Sequence, residues 1–325
     1  MKRALQTTCV ALLLLAMLFS TACSSRVFHP LKISPSPIVE EKVPTTPNEF
    51  FGLGVYEPED FVFSGRVFLV GDSTVCGTYS DGRVQREDIM GWGKYFGNYF
   101  RAESDEEGVD GVSVYNFALS GGSSRTYLDS TGYQSVLEHL SKGDYLFIQF
   151  GHNDEHESDM RVGTSATLGR DEVGPTGMSE EGIYSFEWIL YEKYIQLARN
   201  VGAVPVLVSP TARMLLESGQ PNVYRHEPYR KVMKKLAEEE GVLFIDLTEL
   251  SREFYLNVLD TEGMIGTWRL HAFTDESHQV IDTTHLSRYG AYRIAGLVAK
   301  EVQISKVALS KLVVEPTEIV SPRAD

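Results

Sequence analysis

Val67-Phe68-Leu69-Val70-Gly71-Asp72-Ser73-Thr74 is the stretch on which the fold turns. Four consecutive apolar residues, with no polar alternation, read as a strand buried on both faces. The run stops at Gly71, and an acid and two hydroxyl residues follow at once. The same grammar recurs outward along the chain. Val112 to Phe117, Tyr145 to Phe150, Val204 to Val208 and Val242 to Ile245 are further short apolar runs. Helical patterns fall between and after them, at Trp92–Phe100, Ile183–Asn200, Tyr229–Glu240 and Leu286–Val302. Repeated strand-then-helix with nearly all-apolar strands predicts a three-layer α/β/α sandwich around a central five-stranded parallel sheet. Ligands in such a fold bind beyond the carboxyl ends of the strands, so the residues just after each strand are the ones to inspect.

Three of those positions carry chemistry. Gly71-Asp72-Ser73-Thr74 follows the first strand, and Asn116 to Arg125, containing Ser120-Gly121-Gly122-Ser123, follows the second. Gly151-His152-Asn153-Asp154 follows the third, and Asp282-Thr283-Thr284-His285 precedes the last helix. Taken singly, each reads as a turn or a helix cap. Taken together they supply what ester hydrolysis needs: a nucleophile, its base, a group to orient the base, and donors for the developing oxyanion. Ser73 is the candidate nucleophile, His285 the base and Asp282 its brace. The backbone N–H groups of Ser73 and Gly121 and the side-chain amide of Asn153 are candidate oxyanion donors. Glycine at 121 is expected to let the backbone approach with no Cβ in the way.

These four blocks resemble the SGNH (GDSL-type) hydrolase superfamily over roughly 66–303, with Ser73, Gly121, Asn153 and His285 at its signature positions. The resemblance implies a flavodoxin-like fold, Asp282 as triad acid and no cofactor. Asn116 to Tyr127, Gly151 to Asp154 and Asp282 to Ala291 are similar to rhamnogalacturonan acetylesterases, as are Gly91-Trp92-Gly93 and 202–206. That closer likeness implies removal of O-acetyl groups from plant or bacterial polysaccharide, with acetylated carbohydrate as the partner. Gly122 departs from it, since those relatives often carry arginine there, and the polar stretch 155–182 looks like an insertion beside the site. A lysophospholipase or thioesterase, or a carbohydrate-binding protein without turnover, are the rival readings. Every catalytic position is filled, which argues against the last.

Other readings of the same residues are weaker. The order Ser, Asp, His also fits α/β-hydrolases, but Val75 stands where their Gly-x-Ser-x-Gly needs its second glycine. Residues 71–78 lack the Gly-Lys-Ser/Thr of a P-loop. Cys76 reads as a small buried residue rather than a reactive thiol. His152, Glu155, His156 and Asp159 have metal-ligand chemistry, but His152 belongs to the oxyanion block and no metal is expected. Trp92, Tyr79 and Arg125 are candidate substrate contacts, with a core role the alternative for the aromatics.

The ends of the chain bear on location. Lys2 and Arg3 precede an apolar run from Val10 to Phe19 and the small residues Ser20, Thr21 and Ala22. That is the layout of a signal peptide, too short for a membrane span. Cys23 stands at the lipidation position of a lipobox-like Ser20-Thr21-Ala22-Cys23, so 1–23 is expected to direct export, with Cys23 anchored to a cell-envelope membrane. Ser20 and Ala22 equally satisfy ordinary cleavage, which leaves periplasmic or secreted release open. Residues 24–49, punctuated by Pro30, Pro35, Pro37, Pro44 and Pro47, read as a tether. The hydrolase domain is expected over 50–306, and 307–325 as a loose tail. Of three cysteines, Cys9 leaves with the signal and Cys23 takes the lipid, so Cys76 has no disulfide partner. A net charge of −15 without a basic stripe excludes nucleic acid as an expected partner. A monomer is expected.

Overall fold

The computed structural model describes residues 57–322 apart from 81–84, 87, 103–110, 158, 160–161, 215, 218–219, 222–225, 273–281 and 317. The chain divides into two units, Met1–Pro47 and Asn48–Asp325, and all described residues belong to the second. The expected signal peptide, Cys23 and the tether lie outside the described residues.

Five strands form one parallel sheet: β1 (Arg66–Gly71), β2 (Ser113–Asn116), β3 (Tyr145–Gln149), β4 (Val204–Val208) and β5 (Leu243–Ile245). Their order is β2-β1-β3-β4-β5, the doubly wound order in which β1 and β3 flank the point where the winding reverses. Val67 and Leu69, Tyr145 and Phe147, Val206 and Val208, and Leu243 and Ile245 face one apolar core. Phe68 and Val70, Leu146 and Ile148, Leu207 and Phe244 face the other. The edge strand β2 is half-exposed, with Tyr115 at its surface, whereas both faces of these four strands are dry, which is why they read as apolar runs. Burying each such side chain contributes about 1.5–3 kcal/mol.

The helices are α1 (Thr131–His139), α2 (Phe186–Ile189), α3 (Gln196–Val201), α4 (Glu227–Glu240), α5 (Leu247–Leu270) and α6 (Arg288–Ile304). A π-helical segment, Leu190–Ile195, joins α2 to α3. Residues of α1 to α4 fill the second core, and those of α5 and α6 fill the first. The expected helix over 92–100 is instead two 3₁₀ turns, Trp92–Lys94 and Phe96–Tyr99. Backbone donors at the start of that stretch are spent elsewhere: Gly91 N–H on Cys76 O and Trp92 N–H on Thr74 O. Helix α5 went unread because Gly263, at φ 67°, kinks it and interrupts the apolar stripe.

The polar stretch 155–182 is folded onto the domain. Ser165 pairs with Ser185 and Met178 with Tyr184, and Arg170 reaches Glu240 on α4 at 2.7 Å. The segment from 307, expected as a loose tail, is corrected. Val307, Leu309 and Leu312 are buried in the first core, and Phe100 pairs with Val313. Apolar residues at 307, 309 and 312 hold it down, so looseness cannot begin at 307.

Candidate active site

The turn after β1 is built from Asp72. Its carbonyl accepts from Val75 and Cys76 N–H, and its Oδ1 accepts from Thr74 N–H at 2.9 Å and Thr74 Oγ1 at 2.8 Å. Burial pushes the Asp72 carboxyl up, the two Thr74 hydrogen bonds opposing it. Beneath the turn, Trp92 Nε1–H donates to Gln149 Oε1 at 2.8 Å, and Gln149 Nε2–H donates to Thr74 Oγ1 at 2.6 Å. A buried chain of side chains thus fixes the backbone that presents Ser73.

Ser73 meets the far end of the sequence. Its Oγ lies 2.9 Å from His285 Nε2, and His285 Nδ1 lies 2.7 Å from Asp282 Oδ2. Asp282 Oδ1 also accepts from the backbone N–H of Thr284 at 2.8 Å and of His285 at 3.1 Å. An ionised carboxylate only accepts, so Nδ1 carries the imidazole proton and Nε2 is left to receive the serine's. Burial alone raises the Asp282 carboxyl, but the hydrogen bond and charge of His285 with the two backbone donors outweigh it, holding it at about 2.

Loops after β2 and β3 close round the same turn. Leu119 N–H donates to Gly71 O at 2.9 Å, extending the β1–β2 ladder to within two residues of Gly121. Gly121 has φ 77°, and a Cβ there would meet nothing within 4 Å. Its positive φ is a left-handed backbone that glycine adopts without strain. Asn153 Nδ2 donates to Gly122 O at 3.0 Å, tying the two loops. The amide's second hydrogen can serve a substrate oxygen. Among the described residues no hydrogen bond occupies the Ser73 or Gly121 N–H.

The remaining candidates divide. Trp92 is 1% exposed and packs edge-on to Phe96, so it is core and cannot stack on a sugar. Arg125 is half-buried, its guanidinium 4.2 Å over the ring of Tyr184, two residues past the insertion. The Tyr79 side chain lies outside the described residues. Cys76 is buried with its thiol directed at Thr78 O, 2.9 Å away, and burial pushes its pKa up, so it makes a poor nucleophile. Among the described residues no group of three His, Cys, Asp or Glu could hold a metal. His152 is buried against His226, with ring centroids 4.2 Å apart. Residues that the sequence did not single out include Arg213, His226 and Gln149. They come from the loop after β4, the residue before α4 and the end of β3, and no spacing links them.

A family model described as GDSL-like lipase/acylhydrolase matches residues 69–290, with Ser73 near its start and His285 near its end. The chain belongs to this family. The GDSL-like enzyme is 30% identical to the probable rhamnogalacturonan acetylesterase YesY of Bacillus subtilis, over 78% of this chain and 99% of that one. It is 31% identical to the rhamnogalacturonan acetylesterase RhgT of the same species, over 73% of this chain and 89% of that one. A crystal structure of the Bacillus subtilis protein YxiM shares the fold, with TM-score 0.54 and 24% identity, covering 76% of this chain and 58% of that one. The family likeness read from the four blocks therefore holds, and the chain is an ester hydrolase.

Proposed function

We propose that the chain removes acetyl groups from carbohydrate, with Ser73, His285 and Asp282 as the triad. The observation that carries this is the hydrogen-bonded series Ser73 Oγ, His285 Nε2, His285 Nδ1, Asp282 Oδ2 at 2.9 and 2.7 Å. Ser73 Oγ attacks the acyl carbonyl carbon while His285 Nε2 takes its proton. The N–H groups of Ser73 and Gly121 and the Asn153 amide receive the oxyanion. As the intermediate collapses, His285 returns the proton to the departing sugar hydroxyl, leaving acetyl-Ser73. Water, deprotonated by His285, then releases acetate and restores the serine. Asp282 keeps the imidazole in one tautomer throughout. The reaction as written consumes one water and needs no cofactor. Acetylated polysaccharide is the substrate class because two relatives near 30% identity carry that activity in their names. We further propose that Cys23 anchors the exported chain by lipid, with 24–49 as a spacer.

Acyl preference is tested on nitrophenyl esters of increasing chain length, and the polymer on a panel of acetylated polysaccharides assayed for acetate. Acetate should be preferred, and preference for long chains would favour a lysophospholipase. Ser73→Ala and His285→Ala should each abolish turnover, with the double variant scarcely worse than either. Asn153→Ala should lower kcat by about 100-fold. Fluorophosphonate labelling of another serine in folded protein would overturn the assignment.

A further inference from the structure

The loop after β4 supplies a cation with no part in that reaction. Arg213 donates from Nη2 to Glu155 Oε1 at 2.5 Å and from Nη1 to Thr284 Oγ1. Glu155 stands two residues beyond Asn153, and Thr284 stands between Asp282 and His285. One guanidinium therefore spans the segment of the oxyanion amide and the segment of the base. The backbone repeats half of this link, since Met214 N–H donates to Thr283 O at 2.8 Å. On its other side Glu155 faces the fully buried His226, whose Nδ1 is 3.3 Å from Oε2 without a hydrogen bond between them. Arg213 and Glu155 side chains are only 19% and 10% exposed, so water and salt screen the pair weakly. Burial raises the Glu155 carboxyl, but His226 and Arg213 outweigh it and hold it below the usual range.

The planar fork matters as much as the charge. A guanidinium can address two acceptors at a fixed angle, whereas an ammonium on a flexible stem acts as a single point charge. We propose that Arg213 is a positioning residue that locks the Asp282–His285 segment to the Asn153–Glu155 segment, setting the distance between base and oxyanion donor. This rests on the triad reading above. An ordinary structural ion pair would stabilise the fold without care for that distance, whereas a displacement of about 1 Å at the reacting groups can cost about 100-fold in rate.

The full chain carrying Arg213→Ala, Arg213→Lys, Thr284→Val or Ser73→Ala is assayed for kcat and KM on nitrophenyl acetate, with Tm alongside. Arg213→Ala should lower kcat by about 10- to 100-fold with KM within about 2-fold. Arg213→Lys keeps the attraction to Glu155 but loses the fork, so kcat should fall while Tm holds. Thr284→Val removes only the acceptor on the base segment and should lower kcat likewise, with no further loss when combined with Arg213→Ala. Wild-type kcat in folded Arg213→Lys or Thr284→Val overturns the positioning role, even if Arg213→Ala fails to fold. Ser73→Ala separates the two ideas. If it is inactive while those variants run at wild-type rate, only the positioning role fails. If it retains turnover, the triad reading fails.

Discussion

Asp154 joins three pieces of the site through one fully buried carboxylate. Both its oxygens accept from Ser124 N–H at 3.1 Å, while Oδ1 also takes Ser124 Oγ at 2.5 Å and Thr164 Oγ1 at 2.9 Å. Burial pushes its pKa up to about 6, the hydrogen bonds from Ser124 and Thr164 only partly opposing. The sign follows from the raised value. Between about pH 4 and about 6 the folded protein keeps a proton that the unfolded chain has released, so stability from this group is full below about pH 4 and lost as pH rises through about 6. Asp154→Asn, which cannot titrate, should remove that slope, and the stability gap between wild type and variant should change by on the order of 3 kcal/mol over the window. Denaturant unfolding at several pH values checks this, and a constant gap would sink the idea. Asp282 runs the other way: its contribution is present above about pH 4 and is lost as pH falls towards about 2. Asp154 could be read in the sequence as a neighbour of Asn153, but not as a buried tie, because Ser124 and Thr164 reach it only in the fold.

At the scale of elements, the start of α6 sets where His285 stands. Leu286 bridges to His271 at the end of α5, and Ser287 caps α6 by accepting from Gly290 N–H at 3.1 Å. A Cβ on Gly290 would lie 2.0 Å from the Leu270 carbonyl oxygen, a backbone atom that cannot swing aside. Gly290→Ala should therefore push α6 from α5, cost about 1–3 kcal/mol and lower kcat through the displaced His285. Gly97→Ala is the control, because its Cβ would meet only Val114, at 3.6 Å and beyond. Equal Tm and kcat for the two variants would refute close packing at Gly290. The same kind of contact explains the failed helix over 92–100. A Cβ on Gly93 would lie 2.5 Å from Val75 O, so this stretch is shaped by the nucleophile turn rather than by its own helical pattern.

At the scale of the whole molecule, the proposed anchor makes its own prediction. Cys23→Ala should release the protein from the membrane fraction while leaving nitrophenyl acetate turnover unchanged, since Ser73, Asp282 and His285 all lie in the unit 48–325. A wild-type protein that already fractionates as soluble would instead support plain secretion. The sequence by itself determined the layered α/β class and the triad candidates. Strands buried on both faces must be apolar throughout, and chemistry in this architecture gathers at their carboxyl ends, so both are written in local runs. The tertiary structure alone decided that Trp92 supports the nucleophile turn instead of a sugar. It also decided that Gly121 adopts a left-handed backbone, that residues 307–312 belong to the core, and that Arg213 bridges the oxyanion and base segments. Each of these depends on contacts between residues distant in the chain, and such contacts leave no periodic or spaced signal in a single sequence.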